Sequence, residues 1–202
     1  MDTIIENNLK NILSKMPNGK LDGKQIITEM FNNGQQYSQL EYFSFYMEDF
    51  INNNLDSNFL KKFYKNGKVI IDTFYNYPID IKVHSIKENL CPLNDKETID
   101  KILNKYGTFG LIVVNIDCEK DDDYSLRMFQ RSLGKKTKYI NKSGNHRKIK
   151  KSFSIRSIYY YEINTSNQLK LFRQGVNSNY NERKMKYSLD TKLTKPVFSI
   201  TK

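Results

Sequence analysis

Asn66-Gly67, set between Phe59-Leu-Lys-Lys-Phe-Tyr64 and Val69-Ile-Ile-Asp-Thr-Phe-Tyr75, commits this chain to reversing direction. The tightest hairpin turns need positive φ at both central residues, and Asn and Gly adopt it at least cost, so Asn-Gly between apolar-rich runs is a strong hairpin signal. A second turn around Asn76-Tyr77-Pro78 returns the chain through Ile79-Asp-Ile-Lys-Val-His84, which makes a three-stranded meander. Before it, Ser38 to Ile51 predicts a helix opened by Ser38 as N-cap, with Leu40, Phe43, Tyr46, Met47 and Phe50 as its apolar face. After it, Asn94-Asp-Lys-Glu97 resembles a capping box, and Ile99, Ile102, Leu103 and Tyr106 follow helical spacing. Phe109-Gly-Leu-Ile-Val-Val-Asn-Ile116 is the most apolar run, as expected of a central strand buried on both faces. The expected fold is α/β, with a mixed central sheet and the element order α-β-β-β-α-β.

Outside that core the periodicity predicts amphipathic helices over 2–16 and 22–32, an exposed turn at Asp121-Asp122-Asp123, and a short helix over 124–133. A basic loop over 134–152 and a strand from Ser152 to Ile163 follow; the last forty residues, rich in Asn, Ser and Lys, carry no clear pattern. The chain of 202 residues suits one domain: N-terminal helices over 1–35, a core over 36–118, and a basic region over 119–202.

Charge divides the chain unevenly. Residues 135–202 hold 17 Lys and Arg against 3 Asp and Glu, whereas residues 1–134 hold 16 against 19. An acidic part followed by a basic one suits a polyanion gripped by the second and acted on by the first. Lys135, Lys136, Lys138, Lys142, Arg147, Lys148, Lys150 and Lys151, interleaved with Tyr139 and Phe153, are the expected phosphate-contacting cluster. Cys91 and Cys118 are too few for a disulfide framework and lack zinc-ligand spacing. No apolar run approaches the roughly 18 residues of a membrane span, and an acid stands in Met-Asp-Thr-Ile-Ile-Glu where a secretory signal carries cations. A soluble, cytoplasmic protein with no membrane partner is therefore expected.

Acid-x-Lys occurs four times, but only Asp80-Ile81-Lys82 lies in an alternating strand pattern with a second acid across a turn. On a strand Asp80 and Lys82 share one face, while Ile79, Ile81 and Val83 turn to the other. Asp72 and Asp80 are equidistant from Asn76, so an odd-length loop or a bulge sets them opposite each other, whereas a two-residue loop would put them on opposite faces. Two carboxylates so close repel unless a cation neutralises them, and a hard divalent ion such as Mg²⁺, with Mn²⁺ as a substitute, suits such oxygens. Lys82 is placed to orient a water or to stabilise charge developing on a phosphate.

Asp72, Asp80 and Lys82 within this element order resemble the PD-(D/E)xK nuclease superfamily, especially type II restriction endonucleases, over residues 36–118. The resemblance implies Asp72 and Asp80 as metal-binding acids, Lys82 as the catalytic lysine, and a helical glutamate matched by Glu41 first and Glu48 second. It implies a Mg²⁺-dependent, sequence-specific double-stranded DNA endonuclease acting as a homodimer, with a cognate methyltransferase as a possible companion. A structure-specific or repair nuclease, and a non-catalytic nucleic-acid-binding protein relying on the basic tract alone, remain open alternatives. His84 shares the face of Asp80 and Lys82 and is either structural or within reach of the phosphate. His146 lacks the partners of an HNH site, and Asp117 and Glu119 at the end of the apolar run read as solvated carboxylates.

Overall fold

The computed structural model describes residues 3–65, 68–134, 148–173 and 183–202. In chain order these form α1 (Thr3–Lys15), β1 (Lys20–Asp22), α2 (Gly23–Asn32), α3 (Tyr42–Asn54), β2 (Leu60–Lys65), β3 (Lys68–Phe74), β4 (Pro78–Ser85), β5 (Leu90–Asp95), α4 (Lys96–Tyr106), β6 (Phe109–Lys120), α5 (Ser125–Ser132) and β7 (Lys150–Ile163). A one-turn 3₁₀ helix (Ser166–Gln168) leads to β8 (Lys170–Phe172), β9 (Lys186–Asp190) and β10 (Phe198–Thr201). The architecture is mixed α/β. A seven-stranded, mostly antiparallel sheet runs in the order β1-β7-β6-β4-β3-β2, with β10 also paired to β7, and a small sheet runs β5-β9-β8.

The meander forms as its turns demand. Lys65 pairs with Lys68 across Asn66-Gly67, which themselves lie outside the described residues, and Thr73 pairs with Ile79 across the second turn. β6 then lies parallel to β4, with Asp80 beside Leu111 and His84 beside Asn115. Eight consecutive buried residues, Phe109 to Ile116, follow from having both faces of β6 covered. Ile112, Val114 and Ile116 join one apolar cluster with α1, α2 and α3, while Phe109, Leu111 and Val113 join a second with α4 and the small sheet. β7, from the basic region, contributes Phe153, Ile155, Ile158 and Tyr160 to the first cluster and Tyr161 and Ile163 to the second.

Helix ends depart from expectation where tertiary hydrogen bonds compete. α3 starts at Tyr42, with Glu41 as N-cap, and not at Ser38: the Gln130 amide donates to the carbonyls of Tyr37 (2.7 Å) and Gln39 (3.4 Å), and the Gln39 carbonyl, which a helix from Ser38 would offer to its own Phe43 amide, accepts from the Tyr42 amide instead. The capping box at Asn94 and Glu97 does not form, because Asp95 pairs with Lys186 as the end of β5 and the Lys96 amide donates to Met185 O. α4 does close on a left-handed residue, Gly107 at φ 72°, where a side chain would be strained. Asp121 is fully buried, not part of an exposed turn: its carboxylate accepts from Ser125 Oγ and from the Leu126 and Arg127 amides, satisfying the start of α5. Three short strands, β8 to β10, occupy the C-terminal region whose sequence carries no strand pattern.

Gly23, the first residue of α2, is packed so closely that a Cβ there would sit 2.5 Å from Tyr42 Oη, 2.6 Å from Lys151 O and 3.0 Å from Leu126 Cδ2. Tyr42 is fully buried and its hydroxyl donates to Lys150 O, so it has no room to retreat. Gly23→Ala is expected to lose about 1–3 kcal/mol, read as a lower urea midpoint at unchanged m-value. Among the described residues no helix is long and apolar enough to cross a membrane.

Candidate active site

The loop between β3 and β4 is Tyr75-Asn76-Tyr77, an odd-length connection. The register of Thr73 with Ile79 and Phe74 with Pro78, continued by one residue, sets Asp72 opposite Asp80. At that point the Asp72 side chain takes up the neighbouring strand's donor, with Asp72 Oδ2 accepting from the Ile81 amide at 2.7 Å. A carboxylate thus binds a main-chain group of β4, and the hydrogen bond aims Asp72 at the partner strand.

Asp80 is buried, at 3% exposure, beside Lys82, whose side chain keeps a quarter of its surface. Lys82 Nζ lies 2.6 Å from Asp80 Oδ2, a close ion pair that holds the ammonium beside the acids. Burial, the charge and hydrogen bonding of Asp80, and the more distant charge of Glu48 push the Asp72 carboxyl up to about 9, against the pull of Lys82. Burial alone would depress the Lys82 ammonium, but Asp80 and Asp72 outweigh it and hold the amine above its usual range. The pair and the lysine therefore form one electrostatic unit, with a proton or a cation required between the acids.

Of the two helical glutamates, Glu48 is the one near the trio. It sits two turns into α3, and its charge is felt at both Asp72 and Lys82. Glu41 does not join them: it is the exposed N-cap of α3, seven residues or about 10 Å nearer the helix start. Cys91 on β5 is a contributor the sequence does not signal; it is buried close enough to feel Lys82 and Asp80, and burial raises its thiol to about 12. Asp117 sits between Lys87 and Arg156, at 3.3 and 3.5 Å, and Glu119 binds Lys20 and Ser152; both are partnered surface carboxylates.

Comparison of the chain with protein-family models, with curated proteins and with solved structures finds no match. The site must therefore be read from its own chemistry. Among the described residues no group of three or more Asp, Glu, His or Cys side chains is gathered as a ready metal cage. Two carboxylates sharing a buried position nevertheless fit a hard cation of the Mg²⁺ type, which keeps several waters and needs only one or two carboxylates from the protein.

Of the basic cluster, Lys135, Lys136, Lys138, Lys142 and Arg147 lie outside the described residues, as does His146. Lys148 is exposed and paired with Asp122, while Lys150 and Lys151 are half-buried on β7. Lys150 pairs with Lys120 on β6, nine residues beyond the Leu111 that neighbours Asp80, so it lies up to about 30 Å along the strand from the acids. His84 is buried at 4% exposure; burial lowers its pKa, and its Nε2 donates to Glu88 O at 2.9 Å.

Proposed function

We propose that this protein is a metal-dependent endonuclease that hydrolyses phosphodiester bonds of double-stranded DNA, with Asp72, Asp80 and Lys82 as its catalytic group. One observation carries the reading: two carboxylates meet across the β3–β4 turn with an ammonium 2.6 Å from one of them, partly open to solvent. Ile79 and Ile81, on the other face of β4, are buried in the core and hold the strand that carries Asp80 and Lys82 in place. The order α3-β2-β3-β4, then α4 and β6, with β5 inserted, is compatible with the α-β-β-β-α-β core of PD-(D/E)xK nucleases.

In this reading Asp72 and Asp80 hold Mg²⁺ or Mn²⁺, which when bound polarises the scissile phosphate and acidifies a water. Asp72 is held beside β4 by the hydrogen bond from the Ile81 amide, which keeps its carboxylate close to Asp80. Lys82 stays protonated near neutral pH and supplies positive charge where the attacked phosphate gains negative charge. Glu48 adds negative potential to the same pocket, favouring the cation. One copy of this small chain offers one such group, so cutting both strands of a duplex calls for a homodimer related by a two-fold axis. Type II restriction, with a short recognition sequence and a companion methyltransferase, is the specific form proposed.

Digestion of unmethylated phage DNA with and without Mg²⁺ tests the activity. Discrete, metal-dependent fragments are the expected result; a smear points to a structure-directed or repair nuclease, and salt-sensitive binding without any cutting would leave only a nucleic-acid-binding protein. Glu48→Gln is expected to slow cleavage about 10- to 100-fold, because the charge around the cation weakens. Glu41→Gln should leave the rate within about twofold, and single-turnover rates at fixed Mg²⁺ compare the two.

A further inference from the structure

A row of buried polar side chains crosses the sheet beyond the catalytic trio. Parallel pairing sets His84 beside Asn115, and antiparallel pairing sets Asn115 beside Ser157, all three no more than 6% exposed. Asn115 is the one polar side chain in the eight-residue buried stretch of β6. Its Nδ2 donates to Ser157 Oγ at 3.2 Å, which leaves a carboxamide with a further N–H and an acceptor oxygen. His84, with Nε2 donating to Glu88 O, offers Nδ1 as an acceptor when its ring is neutral.

His84, Asn115 and Tyr159 line a cavity of about 180 Å³, together with a wall from Ile86, Glu88 and Asn89 just after β4. That wall is tied in place: the Thr191 amide and hydroxyl both donate to Asn89 O, at 2.9 and 3.0 Å. The cavity opens to solvent, and its volume is comparable to the roughly 150 Å³ cavity that takes up benzene, so it has room for a six-membered ring entering from outside. Glu88 and Lys192 at its lining balance in charge, so nothing there selects an anion over a neutral group. Carboxamide, imidazole and an aromatic ring together suit a flat, neutral heterocycle that offers a hydrogen-bonding edge and a π-face.

We propose that this cavity receives a single pyrimidine base, taken out of the stack from the DNA strand whose backbone passes Asp80 and Lys82. The inference rests on the nuclease reading for the origin of the base, but not for its binding. His84 lies two residues beyond Lys82 on β4, about 7 Å along the strand, so a nucleotide adjoining the scissile phosphate reaches it. Asn115 and His84 read the base edge, and Tyr159 packs on its face.

The chain has only two histidines, so one His146→Gln variant assigns the His84 ring protons in an NMR spectrum. Thymidine and deoxycytidine are titrated into the whole chain, with deoxyribose 5-phosphate as the base-free control. A saturable, millimolar shift of the His84 signal with a nucleoside alone is expected, weakened about tenfold in Tyr159→Leu and unchanged in Lys82→Ala. A shift produced equally by deoxyribose 5-phosphate would overturn the proposal in favour of a phosphate subsite, and no shift with any probe would overturn it outright. DNA cleavage without nucleoside binding sinks the cavity and spares the nuclease, whereas nucleoside binding without cleavage does the reverse.

Discussion

Lys82→Ala is expected to reduce the rate of DNA cleavage by about 10²–10³, a loss of roughly 2.7–4 kcal/mol of transition-state stabilisation, while the chain still binds DNA. The ammonium sits 2.6 Å from Asp80 Oδ2, and the charges of Asp80 and Asp72 hold it protonated where a phosphate arriving at the acids would meet it. The side chain is also a quarter exposed, which leaves room for an arriving phosphate. Removing the cation leaves Asp72 and Asp80 with no positive neighbour, and in the absence of metal the pair answers by holding its proton more firmly. The loss should therefore appear in the single-turnover rate and not in DNA affinity, which the basic surface dominates. Cleavage by Lys82→Ala within tenfold of the parent chain, at saturating Mg²⁺, would remove Lys82 from the chemistry.

The parts of this fold that are legible in the sequence are those decided locally. Asn66-Gly67 and Asn76-Tyr77-Pro78 read as turns in the sequence, and the strands flanking them pair as β2-β3-β4; β6 announces itself because burial on both faces removes every polar alternation except Asn115. The meeting of Asp72 with Asp80 is legible for the same reason, since their equal distance from Asn76 needs only an odd loop. What stays hidden is set from far along the chain. Gln130, ninety-one residues from Gln39, ties down the segment just before α3, and Glu48, two turns into that helix, is the glutamate whose charge reaches Asp72. β9 captures Asp95 from more than ninety positions away and cancels a well-formed capping box. Asp121 looks like one of three solvated aspartates, yet its oxygens are consumed by backbone amides of α5. The cavity over Asn115 is invisible in sequence, because its walls come from β4, β6, β7 and the segment after β9.

Without metal, this protein should become less stable as pH rises through neutrality, the reverse of the usual behaviour of carboxylates, and Asp72→Asn should abolish that slope. Free aspartate ionises near pH 4, whereas burial and Asp80 hold the Asp72 carboxyl up to about 9. The folded state therefore keeps a proton that the unfolded state has released over the window between those values. Stability falls with pH wherever the native state binds more protons than the unfolded one, so heating curves at pH 5, 7 and 9 should show a declining midpoint. Lys82, raised above its usual range, stays charged throughout that window and adds no slope of its own. Partnered surface carboxylates such as Asp117 and Asp190, held below their usual range, act in the opposite sense but lose their stabilisation only in acid, as pH falls through their lowered values. Mg²⁺ should compete with the Asp72 proton, so its apparent affinity should rise with pH up to about 9 and its binding should release a proton, measurable by calorimetry in two buffers of different ionisation enthalpy. Asp72→Asn removes the repulsion but supplies no charge, and it should raise the metal-free midpoint at pH 9, bind Mg²⁺ weakly and cut DNA slower by about 10² or more. A flat midpoint from pH 5 to 9 in the parent chain would mean that Asp72 and Asp80 are not held together in the folded protein, and the metal site would lose its physical basis.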